Sequence, residues 1–450
     1  MDKTHTFAAN YRDEIVRAIY QHAEIIAGRV VREKTSPRKT RWDQRLDDIV
    51  TSRWLGFPLM GLLLTGVLWL TVVGANYPSQ LLATILFWGE KQLVELFQFL
   101  NFPPWLSGVL VKGTYRSMAW VVSVMLPPMA IFFPCFTLLE DLGYLPRVAF
   151  NLDRFFKKAG AHGKQALTMS MGFGCNAAGV TSCRIIDSPR ERLIAILTNN
   201  FVPCNGRFPL LITLSVIFVG SSLPAHRSWV ATAVITLIVL LGITVTFMTS
   251  WLLSRTLLKG LPSSFALELP PYRPPQIGKV IVRSVLDRTV LVLGRAVAFA
   301  APAGAITWIL ANTYIGKYNM ISYLAGWLHP YGQSLGLDGY ILTAFFLGLP
   351  ANEIVLPILI MSYTSAGAMV ELESLETLRT LLVDHGWTWV TAVSMMLFSL
   401  LHFPCSTTLW TIRKETGSWL WTLTAFGLPL VTASLVTFLF NQTVKLLGLF

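Results

Sequence analysis

The chain has 450 residues, 53% of them hydrophobic and only 13% charged. A soluble domain carries roughly 25% charged residues, so about half the usual solvating charge is missing and lipid-facing apolar surface takes its place. The balance of 36 Lys and Arg against 24 Asp and Glu is basic, but no solvated domain presents it, so it reads as headgroup anchoring and topology setting and not as nucleic-acid binding.

From Met1 to about Arg53 the chain is polar, and no apolar core preceded by a basic flank marks a cleavable leader. This end is expected on the cytoplasmic side. Ile15, Ala18, Ile19, Ile25, Ile26 and Val30 recur at helical spacing and predict an amphipathic helix, with the Arg-rich stretch Glu33 to Arg45 as a juxtamembrane linker.

Crossing a hydrocarbon core takes about 20 apolar residues, and about nine stretches approach that length. They lie near Trp54 to Gly74, Ser117 to Leu139, Gln165 to Ile186, Leu193 to Val219, Trp229 to Leu253, Thr289 to Leu310, Tyr340 to Met361, Trp387 to Ile412 and Trp419 to Leu446. Leu81 to Leu100 carries Glu90, Lys91 and Glu95 and reads as an interfacial helix.

Two of these stretches are interrupted by glycine or proline, at Gly172-Phe-Gly-Cys-Asn-Ala177 and Leu347-Gly-Leu-Pro-Ala-Asn-Glu353. Broken backbone at membrane depth survives only where protein buries it or a cavity is lined by it. Arg147, Arg154, Lys157, Lys158 and Lys164 precede the first and Arg184, Arg190 and Arg192 follow it, which puts both its ends inside. The loop before the second has only Lys317 as a basic residue, and Glu371, Glu373, Glu376 and Asp384 follow it, which puts both its ends outside.

The expected fold is therefore an all-α polytopic membrane protein of about seven crossings plus two re-entrant segments entering from opposite faces, in two inverted repeats. The expected organisation is a cytoplasmic region at 1–53, a first span and interfacial helix at 54–116, a first repeat at 117–254, a cytoplasmic connection at 255–288, and a second repeat with the C-terminal helix at 289–450. Each half also has an Asn after its glycine-rich turn (Asn176, Asn352) and then a Pro-Cys (Pro203-Cys204, Pro404-Cys405).

Polar groups at membrane depth face a cavity or a partner and are candidates for function. The candidates are Cys175 and Asn176, Cys204 with Asn205 and Arg207, Asn352 and Glu353, and His402 with Cys405. Thiol, imidazole, amide and carboxylate together suit Fe²⁺, Mn²⁺, Zn²⁺ or a neighbour better than Mg²⁺ or Ca²⁺. Cys135 and Cys183 read as small apolar fillers, all five cysteines as free thiols, and Arg207 as a neutraliser of a carboxylate or a cap on broken carbonyls. Pro404 disturbs the helix geometry that would pair His402 with Cys405.

Gly172-Phe-Gly-Cys-Asn-Ala177 matches a dinucleotide fingerprint in form, but it has no strand before it and lies in an apolar segment. Neither Walker A nor His-Glu-x-x-His occurs. The chain is not expected to be an enzyme, and no cofactor is expected.

Leu139-Glu-Asp-Leu-Gly-Tyr-Leu-Pro-Arg147, Asn151-Leu-Asp-Arg154, Gly172-Phe-Gly-Cys-Asn176, Pro203-Cys-Asn-Gly-Arg207, Glu268-Leu-Pro-Pro-Tyr-Arg273, Asn352-Glu353, and Pro404-Cys405 with Ile412-Arg-Lys-Glu-Thr-Gly417 follow one another along the chain. In this order, from about Leu46 to Trp421, they resemble the membrane region of the FeoB family of ferrous iron transporters. The resemblance implies two Gate domains of the nucleoside-recognition type in a bacterial inner membrane, importing Fe²⁺, with Cys175, Cys204 and Cys405 on the ion path and Glu353 as the Glu of the second Gate motif. It also implies an amino-terminal GTPase domain, expected here to be absent, so that a separate GTPase subunit or a homo-oligomer is the partner to look for. Asn352 stands where the family commonly has Lys, and Asn176 is followed by Ala177-Ala178 in place of an apolar residue and Pro. The alternatives are a nucleoside-like solute transporter of the same fold and a non-transporting membrane partner of a GTPase.

Overall fold

The structure is a computed structural model and describes residues 2–30, 37–52, 54–219, 227–260, 276–369 and 375–448. The motif Glu268 to Arg273, the acidic Glu371 and Glu373, and Glu33 of the expected linker lie outside the described residues.

The chain folds as helices, with a single two-residue hairpin, Tyr314–Ile315 against Tyr318–Asn319, among the described residues. The elements run α1 (Asp2–Val30), α2 (Pro37–Val50), α3 (Gly56–Phe99), α4 (Pro104–Asp141), α5 (Tyr144–Lys158), α6 (Gln165–Gly174), α7 (Asn176–Ser182) and α8 (Pro189–Thr198). They continue with α9 (Phe208–Val219), α10 (Arg227–Arg255), α11 (Ile277–Asn312), α12 (Met320–Ser334), α13 (Gly339–Leu347), α14 (Val355–Thr364), α15 (Leu375–Asp384), α16 (Trp389–Leu401), α17 (Ser406–Thr416) and α18 (Trp419–Leu446).

Among the described residues, six stretches are long and apolar enough to cross a membrane: α3, α4, Ala233–Arg255 of α10, α11, Trp389–Thr416 and α18. The lipid-facing character of α3 shows in Leu62, Trp69 and Trp88, each more than 60% exposed. Leucine and tryptophan side chains left exposed along a helix suit a bilayer and its interfaces better than water.

The N-terminal helix is present, but the linker is not wholly a linker. From Pro37, well placed at a first helical position, the chain forms α2. Its end docks on α5 through Arg147 Nε to Asp47 Oδ1 at 2.6 Å and Asn151 Nδ2 to the Val50 carbonyl at 2.8 Å. Those partners lie about a hundred residues away, out of reach of any local pattern. Likewise no separate interfacial helix follows the first span: α3 runs unbroken for 44 residues, with Glu90 meeting Arg116 of α4 at 3.4 Å. The neighbouring helix supplies the charge that the sequence seemed to need water for.

Two further segments are interrupted. Between α8 and α9 the chain passes through a short 3-10 turn, Asn199–Phe201, and then a break at Val202 to Arg207. Val202 has φ −86° and ψ 126°, the extended backbone that a following proline imposes. Between α16 and α17, His402 and Cys405 flank Phe403-Pro404 with ψ of 175° and 159°. The apolar runs read these two as plain crossings, yet each breaks at its Pro-Cys. There are thus four broken segments, two in each half, around one buried core in which Phe132, Phe133, Phe201, Phe345 and Phe398 are the large fillers.

Candidate functional site

Each break has a local cause and turns a different group inward. Cys175 sits extended between α6 and α7, where Gly172 and Gly174 weaken the helix. Pro203 and Pro404 remove amide donors just before Cys204 and Cys405. Pro350 does the same before Ala351, after which Asn352–Ile354 forms a single 3-10 turn into α14.

All four breaks meet at one cavity of about 30 Å³. Cys175, Asn176, Cys204, Asn352, Glu353 and Cys405 line it, so six of the nine residues singled out from sequence come together there, without Asn205, Arg207 and His402. Asn352 Nδ2 donates to Cys204 Sγ at 3.8 Å, joining the two halves. Cys405 Sγ lies 3.3 Å from Thr408 Oγ1, one turn along α17. A Cβ at Gly206 would collide with Glu353 Oε1, so the carboxylate rests directly on the backbone of the opposite half. Such a volume holds one water-sized particle.

His402 is not among the lining residues. Its Nδ1 is 2.8 Å from the Ser399 carbonyl, and its ring packs between Phe345 and Phe403 at centroid distances of 4.8 and 4.9 Å. His402 and Cys405 stand on either side of the break at Phe403-Pro404 and so share no helix face. Cys183 is buried elsewhere, with its Sγ donating to the Gly179 carbonyl at 3.3 Å.

Sequence reasoning missed Met125 and Met129, which add two thioethers to the cavity. Their four-residue spacing around Pro127-Pro128 was the available signal. Among the described residues, no group of three or more His, Cys, Asp or Glu lies close enough to hold a metal ion as a resident centre.

Arg207 is 1% exposed and, among the described residues, pairs with no carboxylate. It caps broken carbonyls. Its Nη1 donates to the Asn200 and Leu400 carbonyls at 2.9 and 2.6 Å, and its Nη2 to Asn200 Oδ1, the His402 carbonyl and the Phe403 carbonyl at 3.1, 3.1 and 3.3 Å. The carbonyls freed at the end of α16 are thereby satisfied from the first half of the chain.

Fold and site together define the class: a multi-pass all-α membrane protein whose interrupted helices meet at a small cavity of thiol, thioether, amide and carboxylate groups. Residues 122–218 and 293–419 match the Gate family, described as nucleoside recognition, and residues 235–287 match the ferrous iron transport protein B C terminus. The chain belongs to the Gate family and carries the FeoB C-terminal region. It is similar to an Fe(2+) transporter FeoB of Staphylococcus aureus (strain COL), 30% identical with 97% of this chain and 64% of the relative covered. It is also similar to one of Methanocaldococcus jannaschii, at 26% with 93% and 61% covered. A third relative, an Fe(2+) transport protein A/Fe(2+) transporter FeoB fusion protein of Porphyromonas gingivalis, is 26% identical with 88% and 51% covered. The chain thus spans less than two thirds of the length of these relatives. No solved structure matches it.

Proposed function

We propose that this protein moves ferrous iron across a bacterial inner membrane, inward, along a path through the cavity where the four breaks meet. The observation that carries the reading is the convergence of Cys175, Cys204 and Cys405 on one ion-sized space. Soft sulfur donors select late first-row ions over Mg²⁺ and Ca²⁺, and Glu353 supplies negative charge. An ion on such a path is held weakly and briefly, as passage requires. The two halves act as inverted repeats around the path, with the N-terminal helices on the cytoplasmic side.

An inside-negative potential favours entry of a divalent ion by roughly 4.6 kcal/mol per 100 mV, at about 2.3 kcal/mol per charge. That alone sustains accumulation, and a GTPase, on a separate subunit or elsewhere in the protein, would gate the path without driving it.

The Gate match favours a second reading, transport of a nucleoside-like solute. The cavity of about 30 Å³ argues against it, since small-molecule pockets run to roughly 300–1,000 Å³. Purified protein in liposomes, given radioactive Fe²⁺, Mn²⁺, Zn²⁺ or uridine under an inside-negative potential, separates the two. Fe²⁺ flux that disappears when Cys175, Cys204 and Cys405 are all replaced by Ala is the expected result. Flux of uridine alone, or metal flux indifferent to the three thiols, overturns the path.

A further inference from the structure

Where α3 passes into α4 there is a second and larger cavity, of about 430 Å³. It lies between the last turns of α3, the first turns of α4, the end of α11 and the loop 366–368. Its volume is in the small-molecule range of roughly 300–1,000 Å³, and the proposed iron path does not use it. Asn312 Nδ2 holds one wall, donating to the Trp308 and Gly367 carbonyls at 2.9 and 2.6 Å.

The lining carries a single charge. Val94, Phe97 and Trp308 supply apolar surface, Gln98 and Ser107 supply neutral hydrogen-bonding groups, and Lys112 is the one ionised side chain among the lining residues. No Cys, His or carboxylate lines it, so a metal ion finds no strong ligand there and meets a like charge. Among the described residues Lys112 forms no ion pair within 4 Å, and its acidic neighbour Glu90 is engaged by Arg116 at 3.4 Å. Glu90, Arg116 and Lys112 thus leave one positive charge in excess on two helices otherwise apolar enough to cross a membrane. Such a charge takes a partner or reaches for the interface.

Lys112 follows Pro104, the start of α4, by about 12 Å of helix axis at about 1.5 Å per residue. Side chains on a helix lean toward its amino terminus, here toward Ser107 and the pocket. Trp105, with Phe99 and Phe102 nearby, stands exposed at the α3–α4 turn, and an exposed Trp at a helix end marks the headgroup level. The pocket therefore sits where phosphate groups and acyl chains meet. A soluble anion would satisfy Lys112 but leave the aromatic wall idle, and a neutral solute would do the reverse. We propose that this pocket is a site for an anionic phospholipid, with Lys112, Ser107 and Gln98 donating to its phosphate and the first carbons of its chains on Val94, Phe97 and Trp308.

Native mass spectrometry of the purified full chain, titrated in detergent with dioleoylphosphatidylglycerol or dioleoylphosphatidylcholine, tests this. One saturable lipid is expected, with the anionic lipid preferred by about fivefold, or 1 kcal/mol, the attraction of one Lys for such a headgroup. Lys112→Met is expected to erase that preference, and Ala368→Trp, which fills the pocket from the loop, to abolish retention of both lipids. Should the latter variant not fold, Lys112→Met alone decides. Lys91→Met, at an exposed position of α3 outside the lining, is expected to bind as the parent does. Excess inorganic phosphate or glycerol 3-phosphate is expected to displace neither lipid. Equal retention of the two lipids by the parent, a preference that survives Lys112→Met, full retention by a folded Ala368→Trp, an equal loss in Lys91→Met, or displacement by the soluble anions would overturn the proposal. None of these variants touches a thiol, so failure of the iron path leaves the result standing.

Discussion

Cys175 and Ala351 hold the same extended backbone, φ −153° and ψ 125° for the first and φ −153° and ψ 121° for the second, and each is followed by an asparagine that opens the next helical turn. The two breaks in different halves of the chain are thus built to one local plan, which supports reading the halves as repeats. Only one of the pair carries a thiol.

Ala351→Cys should therefore add a fourth thiol to the cavity without disturbing the backbone. We expect the variant to favour Zn²⁺ and Cd²⁺ over Mn²⁺ more strongly, by about tenfold or 1.4 kcal/mol. Competition against Fe²⁺ flux in liposomes measures it, and unchanged selectivity would place residue 351 off the path.

Gly206→Ala should impair transport with modest loss of stability. The new Cβ collides with Glu353 Oε1, and such overpacking costs typically about 1–3 kcal/mol. Shortening the acid in Gly206→Ala/Glu353→Asp is expected to restore flux in part. A single variant with full flux would mean that the carboxylate need not hold this position.

Arg207→Met removes five donor contacts at once and takes the guanidinium from the Leu400 and Phe403 carbonyls, while the His402 carbonyl keeps only Asn200 Nδ2. A loss of roughly 3–5 kcal/mol is expected, the range for breaking a buried charged network, read as a large fall in thermal unfolding temperature. Arg184→Ala, by contrast, opens an exposed ion pair to Glu415 at 2.8 Å and should cost about 1 kcal/mol or less. Equal effects from the two would contradict the capping role.

His162 gives the fold an acid-sensitive joint between α5 and α6. Burial holds its imidazole below the ordinary value, and its Nδ1 accepts from the Lys164 amide at 3.0 Å. The unfolded chain then binds the proton more readily, so the stability from the neutral ring is present above the unfolded value, about 6.5, and is lost as pH falls through the lower folded value. Unfolding temperature measured from pH 7.5 to 5 should drop on the acid side, and His162→Gln should flatten that drop. An unaltered acid limb in the variant would assign it to other groups.

The sequence by itself determined the solvent, the helical class and six residues of the candidate site, because apolar length, broken glycine-proline backbone and polar groups at depth are local signals. It also marked both Pro-Cys dipeptides without showing that each breaks its helix, since the surrounding apolar run is long enough to read as continuous. The role of Arg207 was open between two readings until its partners on α16 and just beyond, nearly two hundred residues away, were in view. Tertiary structure alone decided that His402 stays out of the cavity lining, that Met125 and Met129 turn toward it, and that α3 needs no interfacial break. It also decided that Lys112 lines a pocket shared by α3, α4 and α11. Each of these depends on which side chain lies across a gap, a relation between distant segments that periodicity and spacing along one segment do not carry.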